Sequence, residues 1–163
     1  MILYKIICHI NCFFQKEFYK LVYRKKIHFG KRVTWRKRFN VLIGENAILE
    51  IGDDCFFNND CSVNVNEKVM IGKGCLFGEG IRIYDHNHRF RDPNVLIKEQ
   101  GFSTHEITIG EHCWIGSNVV ILKGAKIGNN CVIGAGCIVD TDISDDSIVK
   151  MSRITTCEKI TRY

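Results

Sequence analysis

The chain has 163 residues, 45% of them apolar and 25% charged, enough for one domain with a real core. Its net charge of +5 is split, because residues 1–38 hold eleven Lys and Arg against the single acid Glu17 and the remainder is acidic; a basic head of this kind implies an anionic neighbour. Nine cysteines, an odd count with no C-x-x-C pair, exclude a disulfide framework and a zinc ribbon and read as the reduced thiols of a cytosolic protein.

In chain order, the apolar start of residues 1–14 is interrupted by Lys5, His9 and Asn11. It lacks a small-residue cleavage site and is too short to span a bilayer, so it reads as retained and non-spanning. Over residues 13–27, Phe14, Phe18, Leu21, Val22 and Lys25 recur at helical spacing, which predicts an amphipathic helix. The expected role of residues 1–42 is a basic, helical cap on the repeat-bearing body of the chain.

From Ile109 the sequence runs in hexads: IGEHCW, IGSNVV, ILKGAK, IGNNCV, IGAGCI and VDTDIS. The same hexad recurs over 51–68 and 71–88, with only Val69 and Met70 between those blocks. A period of six is neither helical nor a long alternating strand; it fits short strands joined by tight turns. The expected fold is therefore an all-β solenoid over residues 43–144, with coils at 51–68, 71–88, 109–126 and 127–144 and a partial coil opened by Ile43 and Gly44. Cys55, Cys61, Cys75, Cys113, Cys131 and Cys137 share the fifth hexad place, where a free Cys packs as a small hydrophobe. The repeat breaks over 89–108, which includes the only proline, Pro93, and directly follows His86 and His88. A twenty-residue excursion from a solenoid predicts an active-site wall. Residues 145–163 form a tail without a repeat.

The hexads, the loop after a His-bearing coil and the stretch 113–139 together resemble the hexapeptide-repeat acyltransferases, and most of all the maltose, galactoside and nodulation-type O-acetyltransferases and those that decorate surface polysaccharides. The resemblance implies a left-handed parallel β-helix, acetyl-coenzyme A as co-substrate, a homotrimer with active sites between subunits, and a sugar or glycan acceptor. It implies His88 as the catalytic histidine that closes the coil before the loop, and Asn58, thirty residues upstream, inside the cleft. It implies Trp114 near the acceptor and the thioester, and Ser117 and Ala135 along the pantetheine arm. The segment 148–156 departs from the Gly-x-Pro-Ala pattern of the family, leaving Arg153 as a candidate for a coenzyme phosphate.

Acetyl transfer to a hydroxyl needs a base, an oxyanion donor and orientation of both substrates. A neutral imidazole titrates near working pH, which suits His88 to the first role, with His86 as its rival two residues away, on the same strand face if no corner falls between them. Asn58 is a candidate oxyanion donor or acceptor ligand. No nucleophile pattern stands out, so direct transfer is expected rather than an acyl-enzyme. The competing classes are a zinc enzyme of carbonic-anhydrase type using His86, His88, His105 and His112, and a non-catalytic scaffold; the expectation is no metal. No nucleic-acid recognition motif accompanies the basic head, whose Lys and Arg alternate with aromatics. That composition suits peripheral contact of residues 1–38 with the inner face of a membrane, from the cytoplasm.

Overall fold

The computed structural model describes residues 2–152. Helix α1 (Ile2–Tyr23) and a 3-10 turn (Arg24–Lys26) lead into a solenoid of parallel strands. The first coil comprises β1 (Ile27–Phe29), β2 (Thr34–Trp35) and β3 (Asn40–Ile43), and the second β4 (Ile48–Ile51), β5 (Phe56–Phe57) and β6 (Ser62–Val65). The third has β7 (Lys68–Ile71), β8 (Leu76–Phe77) and β9 (Arg82–Tyr84). A hairpin of β10 (His86–His88) and β11 (Phe102–Thr104) then leaves the stack. The fourth coil has β12 (Ile107–Ile109), β13 (Trp114–Ile115) and β14 (Val120–Leu122). The fifth has β15 (Lys126–Ile127), β16 (Val132–Ile133) and β17 (Ile138–Val139), and β18 (Ile148–Val149) adds a partial turn. Equivalent strands line up into three parallel faces: β1-β4-β7-β12-β15, β2-β5-β8-β13-β16-β18 and β3-β6-β9-β14-β17.

Two places of the hexad explain why the chain winds in this way. The fourth residue adopts a left-handed conformation at the regular corners, at Asp54, Asp60, Gly74, Gly80, His112, Asn118, Gly124, Asn130, Gly136 and Asp146. Gly, Asn and Asp enter that region most readily, so these residue types punctuate the sequence. The fifth residue points inward. At Cys55, Cys75, Cys113 and Cys131 the thiol donates to a carbonyl of the next turn, Gly72, Gly110, Gly128 and Ser144, at 3.0–3.1 Å. Cysteine here is both a small hydrophobe and a weak donor that satisfies a corner carbonyl. Burial pushes the Cys61 thiol up to about 11, so it stays protonated.

The interior is one continuous column. On the β2 face the inward residues in register are Trp35, Phe57, Phe77, Ile115 and Ile133. Phe57 and Phe77 stack with centroids 4.2 Å apart, and Phe39 inserts between Trp35 and Phe57. Each such fully buried side chain contributes about 1.5–3 kcal/mol.

The solenoid opens at Ile27 rather than at 43, because residues 27–43 pair with the second coil throughout β1, β2 and β3. Its hexads FGKRVT and WRKRFN place Arg32 and Arg38 in the left-handed position, where Gly, Asn or Asp usually signals the corner. Each guanidinium forks onto the carboxylate in the same place one coil on, Arg32 onto Asp54 and Arg38 onto Asp60, with the second bonds at 2.6 and 2.7 Å. The two arginines hold Asp54 and Asp60 below the usual carboxylate range.

The helix is longer than 13–27 and turned the other way. It buries Cys8, Cys12 and Tyr19, while Phe14, Phe18, Leu21 and Val22, the stripe expected to pack, face outward. Polar groups settle this orientation. Gln15 Oε1 accepts from Trp35 Nε1 at 2.8 Å, and its Nε2 donates to the Phe39 carbonyl at 2.6 Å. The Tyr19 hydroxyl donates to that same carbonyl, and Lys16 Nζ donates to the Val33 carbonyl. These bonds satisfy the open end of the first coil, against which no strand packs among the described residues.

Candidate active site

The twenty-residue excursion is anchored by its own hairpin. β10 and β11 pair antiparallel, His86 opposite Thr104 and His88 opposite Phe102. Both imidazoles meet the Phe102 ring, at centroid distances of 4.9 Å for His86 and 4.6 Å for His88. The two histidines therefore share a strand face, as an uninterrupted strand requires.

Their surroundings differ. Asp85 is fully buried and accepts from the backbone N–H of Asn66 at 2.8 Å and of Glu67 at 2.7 Å. His86 Nδ1 adds a third bond to this carboxylate at 2.9 Å, which fixes its ring. Asp85 thus pins the corner between β6 and β7 to the start of the hairpin. His88 is exposed, and with Arg89, Arg91, Ser103 and Lys123 it lines a cavity of about 720 Å³ under the loop. That volume suits a small ligand. Lys123 Nζ, on the corner after β14, donates to Ser103 Oγ at 2.6 Å and ties the hairpin to the fourth coil.

Asn58, Trp114, Ser117 and Ala135 lie along a different edge. Trp114 is on β13 beside Leu76 of β8 and is 54% exposed. Asn58 follows β5, Ser117 follows β13 and Ala135 follows β16, so three corners of one edge carry them. Asn58 Oδ1 accepts from Asn59 N at 3.0 Å and from Arg36 Nη1 at 3.2 Å. Two donors on the oxygen fix the amide orientation and leave Nδ2 as the outward donor. A Cβ at Gly116 would sit 2.6 Å from Ala135 N, so only glycine lets the fourth and fifth corners of this edge close together.

The face β3-β6-β9-β14-β17 separates the two edges: Asn58 precedes β6, and the histidines follow β9. Among the described residues no hydrogen bond joins Asn58 to either histidine. Arg153 lies outside the described residues. His105 is on the histidine edge, its backbone N–H donating to the Asp85 carbonyl at 2.9 Å, whereas His112 sits at another corner, against Gly74; among the described residues no group of three or more His, Cys, Asp or Glu is placed to hold a metal ion. Asp85, Phe102, Arg36 and Lys123 were not singled out from the sequence. The Asp-His pair of YDHNH was the one visible signal; the rest are assembled by coil register.

The stacked parallel faces define the class, a parallel β-helix built from hexapeptide repeats, and residues 106–141 match the bacterial transferase hexapeptide (six repeats) family. A Vibrio cholerae hexapeptide-repeat acetyltransferase solved with acetyl-coenzyme A superposes with a TM-score of 0.66 at 26% identity, over 82% of this chain and 71% of that one. The chain is 34% identical to the galactoside O-acetyltransferase of Escherichia coli over 69% of its own length and 61% of the relative's. It is 26% identical to an E. coli putative lipopolysaccharide biosynthesis O-acetyl transferase, over 76% of its length and 66% of that protein's. The chain thus has the fold of the hexapeptide-repeat β-helix proteins and is similar in sequence and structure to acetyltransferases built on that repeat. It spans 38% to 66% of the length of the first curated relatives it matches.

Proposed function

We propose that the chain is an O-acetyltransferase that moves the acetyl group of acetyl-coenzyme A directly to a hydroxyl of a sugar or surface-polysaccharide precursor, with His88 as general base. The observation that carries this reading is the position of His88, exposed on a hairpin strand and lining a ligand-sized cavity with Arg89, Arg91 and Lys123. The names of the relatives, a galactoside O-acetyltransferase and a putative lipopolysaccharide O-acetyl transferase, support a sugar hydroxyl as acceptor.

Acetyl-coenzyme A supplies the acyl group as an activated thioester. The edge carrying Trp114, Ser117 and Ala135 fits its pantetheine arm: the exposed indole offers an apolar wall, and small residues at the corners leave the backbone approachable. His88 accepts the acceptor's hydroxyl proton as the oxygen attacks the thioester carbonyl, which by general-base catalysis is worth about 10²–10⁴-fold, and returns it to the coenzyme A sulfur as the C–S bond breaks and the free thiol leaves. Asn58 Nδ2, aimed outward by the bonds on its oxygen, donates to the developing oxyanion. His86 is engaged by Asp85 and positions the strand on which His88 stands.

Because one face of the solenoid separates Asn58 from His88, we assign the working site to two copies, the histidine edge of one meeting the Asn58 edge of the next. A homotrimer supplies that meeting three times. We place the enzyme in the cytoplasm, with its basic head against the inner face of the membrane.

The test is thiol release from acetyl-coenzyme A with a panel of sugars and nucleotide-sugars. Turnover with at least one acceptor, reduced about 10²–10⁴-fold in His88→Ala, is the expected result. Full activity in His88→Ala together with loss in His86→Ala would move the base two residues. No turnover with any acceptor and no binding of acetyl-coenzyme A would overturn the assignment.

A further inference from the structure

Helix α1 has two apolar faces, and the solenoid uses only one. Cys8, Cys12 and Tyr19 pack inward, with Gln15 and Lys16 bonded to the first coil beside them. The opposite face carries Ile6, Ile10, Phe13, Phe14, Phe18 and Leu21 at spacings of three and four, and Phe13, Phe14 and Leu21 are 61%, 66% and 76% exposed. Exposed apolar side chains scattered singly are ordinary, but a continuous stripe along a 22-residue helix is a contact surface. Because the other face of α1 is bonded to the open end of the first coil, the stripe points away from the coil stack.

The charge around this stripe selects its occupant. The only acid of residues 1–38 is Glu17, which is paired with Lys20 at 2.8 Å. Arg24, Lys25 and Lys26 follow the helix directly, and Lys31 and Lys37 are exposed on the first coil. No helix among the described residues is long and apolar enough to cross a membrane. An apolar stripe bordered by cations and unable to span fits a helix lying in the plane of an anionic interface.

We propose that α1 is a membrane-seating helix: its outward stripe enters the headgroup region of an anionic bilayer, and the flanking Lys and Arg hold the lipid phosphates. This deepens the membrane placement proposed above and is independent of the acetyl-transfer chemistry.

The test is co-sedimentation of the full chain with phosphatidylcholine vesicles, with and without phosphatidylglycerol, at low and high salt. The expected result is at least ~tenfold more binding to the anionic vesicles, weakened by salt, and at least a ~tenfold loss in the double variant Phe14→Ser, Phe18→Ser. Circular dichroism and thiol release with a soluble acceptor should match wild type, which separates loss of seating from loss of fold or chemistry. Equal binding by the variant would reduce the contact to charge alone and overturn the role of the stripe. Absence of wild-type binding, with or without a lower solution mass for the variant, would also overturn the proposal; a lower mass would assign the stripe to contacts between copies.

Discussion

The two edges that carry the candidate residues are built on opposite principles. The histidine edge departs from the repeat: a hairpin leaves the stack, Asp85 is buried to anchor it, and Lys123 reaches across to Ser103. The edge of Asn58, Trp114, Ser117 and Ala135 keeps to the repeat without interruption and is held by coil-to-coil hydrogen bonds such as Gly136 N to Ser117 O at 2.8 Å. The first edge suits a group that must meet varied acceptors, since loops tolerate change. The second suits an extended ligand arm lying along the axis, since its geometry recurs from coil to coil.

That contrast can be broken from either side. After the loss expected for His88→Ala, the next largest effect falls on Asn58. Its replacement by Ala should lower thiol release about 10²–10³-fold with acetyl-coenzyme A binding nearly intact, the pattern of a lost oxyanion donor. A rise in KM alone would make Asn58 a ligand for acceptor or coenzyme instead. A smaller effect is expected at Asp85, where Asn retains one acceptor oxygen and presents its amide nitrogen to a backbone N–H. The unpaired donor should cost about 1–3 kcal/mol in urea unfolding, while activity falls less than ~tenfold, because Asp85 acts on the chemistry only through the hairpin. An activity loss as deep as that of His88→Ala would make the Asp85–His86 pair the base.

The solenoid was legible wherever the corner residues are Gly, Asn or Asp and the column residues aliphatic, which holds for most of the chain from Ile51 onward. The first coil was hidden because Arg32 and Arg38 fill its left-handed corners and aromatic side chains fill its column, so the conformation recurs without the letters. The inward face of α1 was hidden for a related reason. Gln15, Lys16 and Tyr19 pack inward to satisfy carbonyls at the open coil end, a demand that hydrophobic periodicity does not record. At the candidate site, Asn58, His86, His88 and Trp114 could be named from a motif. Their division between two edges could not, since it depends on which face of the solenoid lies between residues thirty apart.

The central claim, a site shared between copies, is tested most directly by mixing. Chains carrying Asn58→Ala are co-refolded in equal amounts with chains carrying His88→Ala, and thiol release is measured on the mixed oligomer. A shared site predicts recovery to about a quarter of the wild-type rate, because random assembly gives that fraction of interfaces an intact His88 edge facing an intact Asn58 edge. A mixed oligomer as inactive as either variant alone would place His88 and Asn58 within one chain's site and contradict the account.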